Sequence, residues 1–159
     1  MGNIMKFTAS GDALIMHRLP GEYPGRERIR EFIERGDARI TNLETTITDG
    51  NCFPSTFSGG TWLTAPEEVL EGLKDFGFNL FGVANNHMLD YSYGGFFQTL
   101  EALRRRGIRF AGAGENLYQA SRPVMAETKA GRVALIAVTS TFDDTARAGV
   151  QGPYLPARP

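Results

Sequence analysis

Short apolar runs alternate along the chain with stretches of helical spacing, and their boundaries fall on Gly and Pro. The run Ile4–Ser10 predicts a buried first strand. After a Gly/Pro-rich turn, RERIREFIER at 26–35 places Ile29, Phe32 and Ile33 on one helical face, and Gly36 ends that helix. Ala38–Leu43 predicts a second strand. It leads into NLETTITDGNCFPSTFSGGTW at 42–62, whose Gly, Ser, Thr and Asn content predicts a long exposed excursion with room for a short hairpin. Loops of this length are often functional. Pro66 then opens PEEVLEGLKDF at 66–76, a helix with acidic residues in its first turn, with Val69, Leu70 and Leu73 turned to the core, and with Gly77 closing it.

Asn79–Ala84 predicts a third strand, NNHMLDYSYGG at 85–95 a loop, and Phe96–Arg106 a helix capped by Gly107. Ile108–Ala111 predicts a short fourth strand. The run VMAETKAGRVALIAVTS at 124–140 predicts two strands joined at Lys129–Arg132. The second of these is almost continuously apolar, which predicts a central position. The order β-α-β-α-β-α-β followed by a hairpin predicts an α/β layered fold with a largely parallel sheet. We read residues 1–159 as a single domain without internal repeats, with Gly149–Pro159, which holds three prolines, as a flexible tail.

Composition narrows the function. A chain of 159 residues can close one core. Lys+Arg 17 against Asp+Glu 18 gives a net charge of -1, so no nucleic-acid partner is expected. The single cysteine, Cys52, excludes an internal disulfide and a cysteine-only metal cage. No apolar run reaches the roughly 20 residues that span a bilayer, and the start MGNIMKFTASGD lacks the basic-then-apolar order of a secretory signal. As written, the chain is expected to be soluble and cytoplasmic, without a membrane segment.

In open α/β sheets ligands bind beyond the carboxyl ends of the strands. The predicted strands end at Gly11 and Asp12, at Asn42, Leu43 and Glu44, at Asn85, Asn86 and His87, and at Thr139, Ser140 and Thr141. Carboxylates on two neighbouring strands can share a divalent cation, with an amide oxygen completing part of its shell. Such a site suits metal-assisted hydrolysis, and His87 could protonate a leaving group. Structural roles compete at each position. Asp12 after Gly11 is a common turn or cap arrangement, and Asn42 and Glu44 can be loop polars. Three polar side chains in succession at 85–87, directly after an apolar strand, favour function because each needs a partner. Asp90 can hold the His87 imidazole or cap the next helix, with capping the default. His17, beside Arg18, is expected to be solvated. Gly112, Ala113 and Gly114 follow a strand but lack the third glycine of a dinucleotide loop, and Arg104, Arg105 and Arg106 are expected to answer a helix dipole.

The blocks GDALIMHR at 11–18, NLETTIT at 42–48, APEEVLEGLKDFGFNLFGVANNHMLDYSYGGFFQTLEALRRRGIRFAGAGEN at 65–116 and ASRPVMAETKAGRVALIAVTSTF at 120–142 resemble consecutive blocks of the CapA family of poly-γ-glutamate capsule proteins, relatives of the calcineurin-like metallophosphoesterases. The resemblance implies the N-terminal half of a layered α/β/β/α sandwich with a metal site at the strand ends. Within it, Asp12 matches the first metal-binding aspartate, Glu44 the bridging carboxylate, Asn86 the amide ligand and His87 the adjacent catalytic histidine, with Asn42, Asn85 and Asp90 in support. It implies a divalent metal (Mn, Zn, Fe or Mg) and an anionic polymer or phosphoester substrate. The alternative is a non-catalytic binding or scaffold domain for an anionic polymer. The family's later histidine motifs have no counterpart, since no histidine follows His87. The expectation is therefore a truncated chain, inactive alone, that binds metal weakly and self-associates through an unpaired sheet edge.

Overall fold

The computed structural model describes residues 4–56 and 60–140. Thr141 and the tail 149–159 lie outside the described residues. Four strands, β1 (Phe7–Ala13), β2 (Ala38–Leu43), β5 (Leu80–Gly82) and β6 (Phe110–Ala111), form one parallel sheet in the order β1-β2-β5-β6. The crossovers carry α1 (Arg26–Ile33), α2 (Val69–Asp75) and α3 (Ser92–Arg105). A second pair, β3 (Thr46–Ile47) and β4 (Thr64–Ala65), runs parallel within the excursion. After the short α4 (Leu117–Ala120), β7 (Val124–Thr128) and β8 (Gly131–Leu135) make an antiparallel hairpin.

The period-2 alternation of β2 and β5 gives the sheet two buried faces. Leu43, Phe81 and Val83 pack with Val69, Leu70 and Leu73 of α2 and with Phe96, Leu100 and Leu103 of α3. On the other face, Ala38, Ile40 and Leu80 pack against Ala126 and Val133 of the hairpin. The protein is thus mixed α/β, with helices on one side of the parallel sheet and the hairpin on the other.

Several elements depart from the sequence expectation. β1 runs Phe7–Ala13 rather than Ile4–Ser10, because main-chain pairing to β2 continues past the apolar run through a bulge between Ala9 and Asp12. Asp12 therefore lies inside the strand, aligned with Asn42. On α1 only Ile33 is buried, while Ile29 and Phe32 are exposed, Phe32 lying under the Arg35 guanidinium at 5.5 Å. The hairpin expected in the excursion is a parallel pair instead, since Thr46 and Ile47 pair with Thr64 and Ala65 across the loop.

Helix α3 begins at Ser92, four residues early, with Gly94 and Gly95 inside it. A Cβ at Gly95 would lie 2.6 Å from the Tyr91 Cβ and 2.8 Å from Thr46 Cγ2, so the glycine admits β3 against the helix. β8 is not central. It belongs to the two-stranded sheet and ends at Leu135, with Val133 buried; past its end Ile136 and Val138 are 63% and 53% exposed, so the apolar run is not one buried strand.

Candidate functional site

Residues at the ends of β1, β2 and β5 meet through one amide. The register places Asp12 beside Asn42, and Asn42 beside Gly82. From there the Asn42 Nδ2 donates to Asp12 Oδ1 at 2.8 Å and also to Glu44 Oε2. Its orientation is fixed by Asn85, whose Nδ2 donates to Asn42 Oδ1 at 3.1 Å and to the Leu43 carbonyl at 2.8 Å. Asn85 is buried, and its Oδ1 accepts the His87 backbone N–H at 3.1 Å. A single asparagine thereby ties the end of β2 to the loop that carries the histidine.

The imidazole is held from the other side. His87 Nδ1 meets Asp90 Oδ2 at 2.8 Å, and the His87 carbonyl accepts the Thr46 hydroxyl at 2.7 Å. An ionised carboxylate can only accept, so Nδ1 carries the hydrogen and Nε2 presents the lone pair. Asp90 is therefore the imidazole's partner and not a helix cap. The N-cap of α3 is Tyr91, which makes no side-chain cap bond.

Glu44 is only 7% exposed. Burial, and after it the nearby Asp12 charge, push its carboxyl above the usual range, while the proximity of His87 and the Asn42 hydrogen bond pull it down. Asp12 itself is exposed, as are His17 and the Asn86 side chain. The structure thus brings Asp12, Asn42, Glu44 and Asn85 into one network and His87 with Asp90 into a second, leaving the Asn86 side chain outside both. Among the described residues, no three His, Cys, Asp or Glu side chains converge as a metal cluster. The chemistry of the pair still fits a cation, because two carboxylates that share one donor and repel each other are what a divalent ion neutralises.

Two further sequence features prove to be packing. A Cβ at Gly112, where φ is +105°, would lie 2.7 Å from the Ala84 Cβ, and one at Gly114 would lie 2.5 Å from the Gln119 Cβ. These glycines admit neighbouring chain rather than a phosphate. Arg105 and Arg106 do more than face a dipole, since both pair with Glu67 at the start of the α2 segment. A cleft of about 830 Å³ opens between β3–β4 and α3, lined by Ile47, Thr64 and Gln98 together with Asp49, Glu68, Glu101 and Arg105; none of Asp12, Asn42, Glu44, Asn85, Asn86, His87 and Asp90 lines it. Sequence reading missed Thr46 and the Leu63 N–H, which donates to Asp90 Oδ2 at 2.6 Å. Thr46 stands out only as one of three threonines in TTIT, and a backbone donor leaves no residue signal.

A parallel sheet with two carboxylates, a bridging amide and a carboxylate-held imidazole at its strand ends defines an α/β domain with a polar strand-end site. The chain belongs to the family of bacterial capsule synthesis proteins PGA_cap, whose model matches residues 6–157. An uncharacterized protein of Sinorhizobium fredii is 37% identical over 155 residues, 95% of this chain and 34% of that protein. The capsule biosynthesis protein CapA of Bacillus anthracis is 35% identical over 80 residues, 50% of this chain and 20% of its own length. A Mycobacterium tuberculosis protein named "Probable polyglutamine synthesis accessory protein" is 35% identical over 91 residues, 56% of this chain and 23% of its own. The chain spans 34% of the length of the Sinorhizobium relative. No helix among the described residues is long and apolar enough to cross a membrane.

Proposed function

We propose that this chain carries a cation-dependent, phosphoesterase-like site that acts in poly-γ-glutamate capsule metabolism, on the N-terminal half of a layered α/β/β/α sandwich. The observation that carries this reading is the buried Glu44 beside Asp12, bridged by the Asn42 amide. Asp12 and Glu44 would hold a divalent cation (Mn, Zn, Fe or Mg), and the Asn86 amide would add an oxygen. Such an ion would supply polarisation of a phosphoryl or carbonyl oxygen and a lowered pKa for water. The chain's own residues do the rest. Asn42 and Asn85 fix the carboxylates and the His87 loop, Asp90 orients the imidazole, and His87 Nε2 accepts a proton from the attacking water and delivers it to the leaving group.

Charge supports the same reading. An anionic polymer or phosphoester is repelled by bare Asp12 and Glu44, so it approaches the strand ends only once they are neutralised. The CapA and polyglutamine relatives point to polyglutamate as the polymer.

A second reading, non-catalytic binding, has its own support: Asn42 satisfies both carboxylates without a cation. Thermal unfolding with manganese, zinc or magnesium against chelator separates the two. A cation at 100 times its Kd stabilises the wild type by about 2.7 kcal/mol. We expect that gain to vanish in Asp12→Ala and Glu44→Ala, and His87→Ala to abolish turnover while keeping it. Equal gains in the wild type and both carboxylate variants would sink the cation site. Retained polymer affinity without turnover in the wild type would favour the binding reading.

A further inference from the structure

One oxygen atom serves two parts of the chain that lie far apart in sequence. Asp90 Oδ2 accepts the Leu63 N–H at 2.6 Å and faces His87 Nδ1 at 2.8 Å. Asp90 is 2% exposed, so water does not stand in for either donor. Its carbonyl also accepts the Ser55 N–H at 2.7 Å, and the Trp62 indole Nε1 donates to the Ser55 carbonyl at 2.8 Å. Ser55, Trp62 and Leu63 therefore close a ring of hydrogen bonds around the residue that orients the imidazole. Trp62 remains 41% exposed.

We propose that Asp90 is a positioning residue that makes the tautomer and orientation of the His87 imidazole depend on the seating of Trp62 and Leu63 at the entry to β4. A carboxylate oxygen held between two donors moves with either one. If Leu63 leaves, the carboxylate is free to rotate, the Nδ1 hydrogen loses its fixed acceptor, and the Nε2–H tautomer, ordinarily the commoner form of a free imidazole, takes over. A ligand that presses on the exposed Trp62 ring is then felt at His87 Nε2 with no contact to the histidine. The tie between the β4 entry and the imidazole stands on geometry alone, and only its consequence for proton transfer rests on the function proposed above.

The test uses the full chain in metal-free buffer, with imidazole tautomers read from ¹⁵N shifts, Leu63 amide exchange, and emission from Trp62, the only tryptophan. Trp62→Ala removes the tie to Ser55 and touches neither Asp90 nor His87. It should speed Leu63 exchange by roughly tenfold and shift His87 from Nδ1–H toward Nε2–H. Asp90→Asn keeps an acceptor oxygen and should hold both readouts near wild type, with Trp62 emission unchanged. Asp90→Ala should lose both; if it does not fold, Trp62→Ala and Asp90→Asn decide. Faster Leu63 exchange in Trp62→Ala with the His87 tautomer unchanged overturns the proposal. So does a wild-type imidazole already in the Nε2–H form. No readout needs a cation or substrate, so failure of the metal titration leaves this result standing, and the reverse holds as well.

Discussion

Glu44 and Asp12, which come from different strands, share a single donor, the Nδ2 of Asn42. Because burial and the Asp12 charge raise the Glu44 pKa, the native state binds its proton more tightly than the unfolded chain does. Stability therefore falls as pH rises from the unfolded glutamate value of about 4.3 through the raised native value, and the loss persists above it.

Glu44→Gln removes that cost and keeps an acceptor for Asn42. In chelator, its melting temperature at pH 7 should exceed that of the wild type, and the gap should close as the pH is lowered through about 4. With manganese the order should reverse if Glu44 holds the proposed cation, because the variant lacks that carboxylate. Melting curves at pH 4 and pH 7, with and without manganese, check both signs.

Thr99 should matter more than a helix threonine usually does. Its hydroxyl accepts the Ile47 N–H at 2.8 Å, and its hydrogen is shared between the carbonyls of Gly95 at 2.8 Å and Ile47 at 3.2 Å. Thr99→Val keeps the shape but orphans a buried N–H on β3. Denaturant unfolding should register a loss of about 1–3 kcal/mol.

Gly112→Ala combines a positive φ with a Cβ 2.7 Å from the Ala84 Cβ and 2.9 Å from the Ala137 Cβ. Both the backbone and the hairpin seat must shift, so we expect a loss of about 2 kcal/mol or more. An unchanged urea midpoint would contradict this packing role.

Arg105 bonds Glu67 and Glu101 but its side chain is 53% exposed. Arg105→Ala should change stability little, and what loss there is should shrink with added salt. Arg106, 21% exposed and bonded to Glu67 and Glu71, should cost more when replaced by alanine. Unfolding at low and high salt separates the two.

Much of this was legible without coordinates wherever the signal was local. Val69, Leu70 and Leu73 face the core as their spacing predicts. Asn116 caps α4 by accepting the Gln119 N–H at 3.0 Å, a short helix the sequence reading passed over because four residues are too few to show a period. Ile29 and Phe32 mislead, because amphipathic spacing states which face is apolar and not how much of it finds a neighbour. The apolar run that contains β8 misleads for a related reason, since Ile136 and Val138, past the strand's end at Leu135, stay exposed.

Local pattern along the chain laid out the alternation of the main strands and helices and marked the polar residues at the strand ends. Both follow from periodicity and from the cost of placing Asp12, Glu44, Asn85 and His87 beside apolar strands without partners. Tertiary structure alone decided who those partners are. Asn42 reaches Asp12 across 30 positions and Leu63 reaches Asp90 across 27, through strand register and a backbone N–H. Hydrogen bonds of that span depend on how the sheet and its crossovers close in space, which no local pattern of side chains encodes.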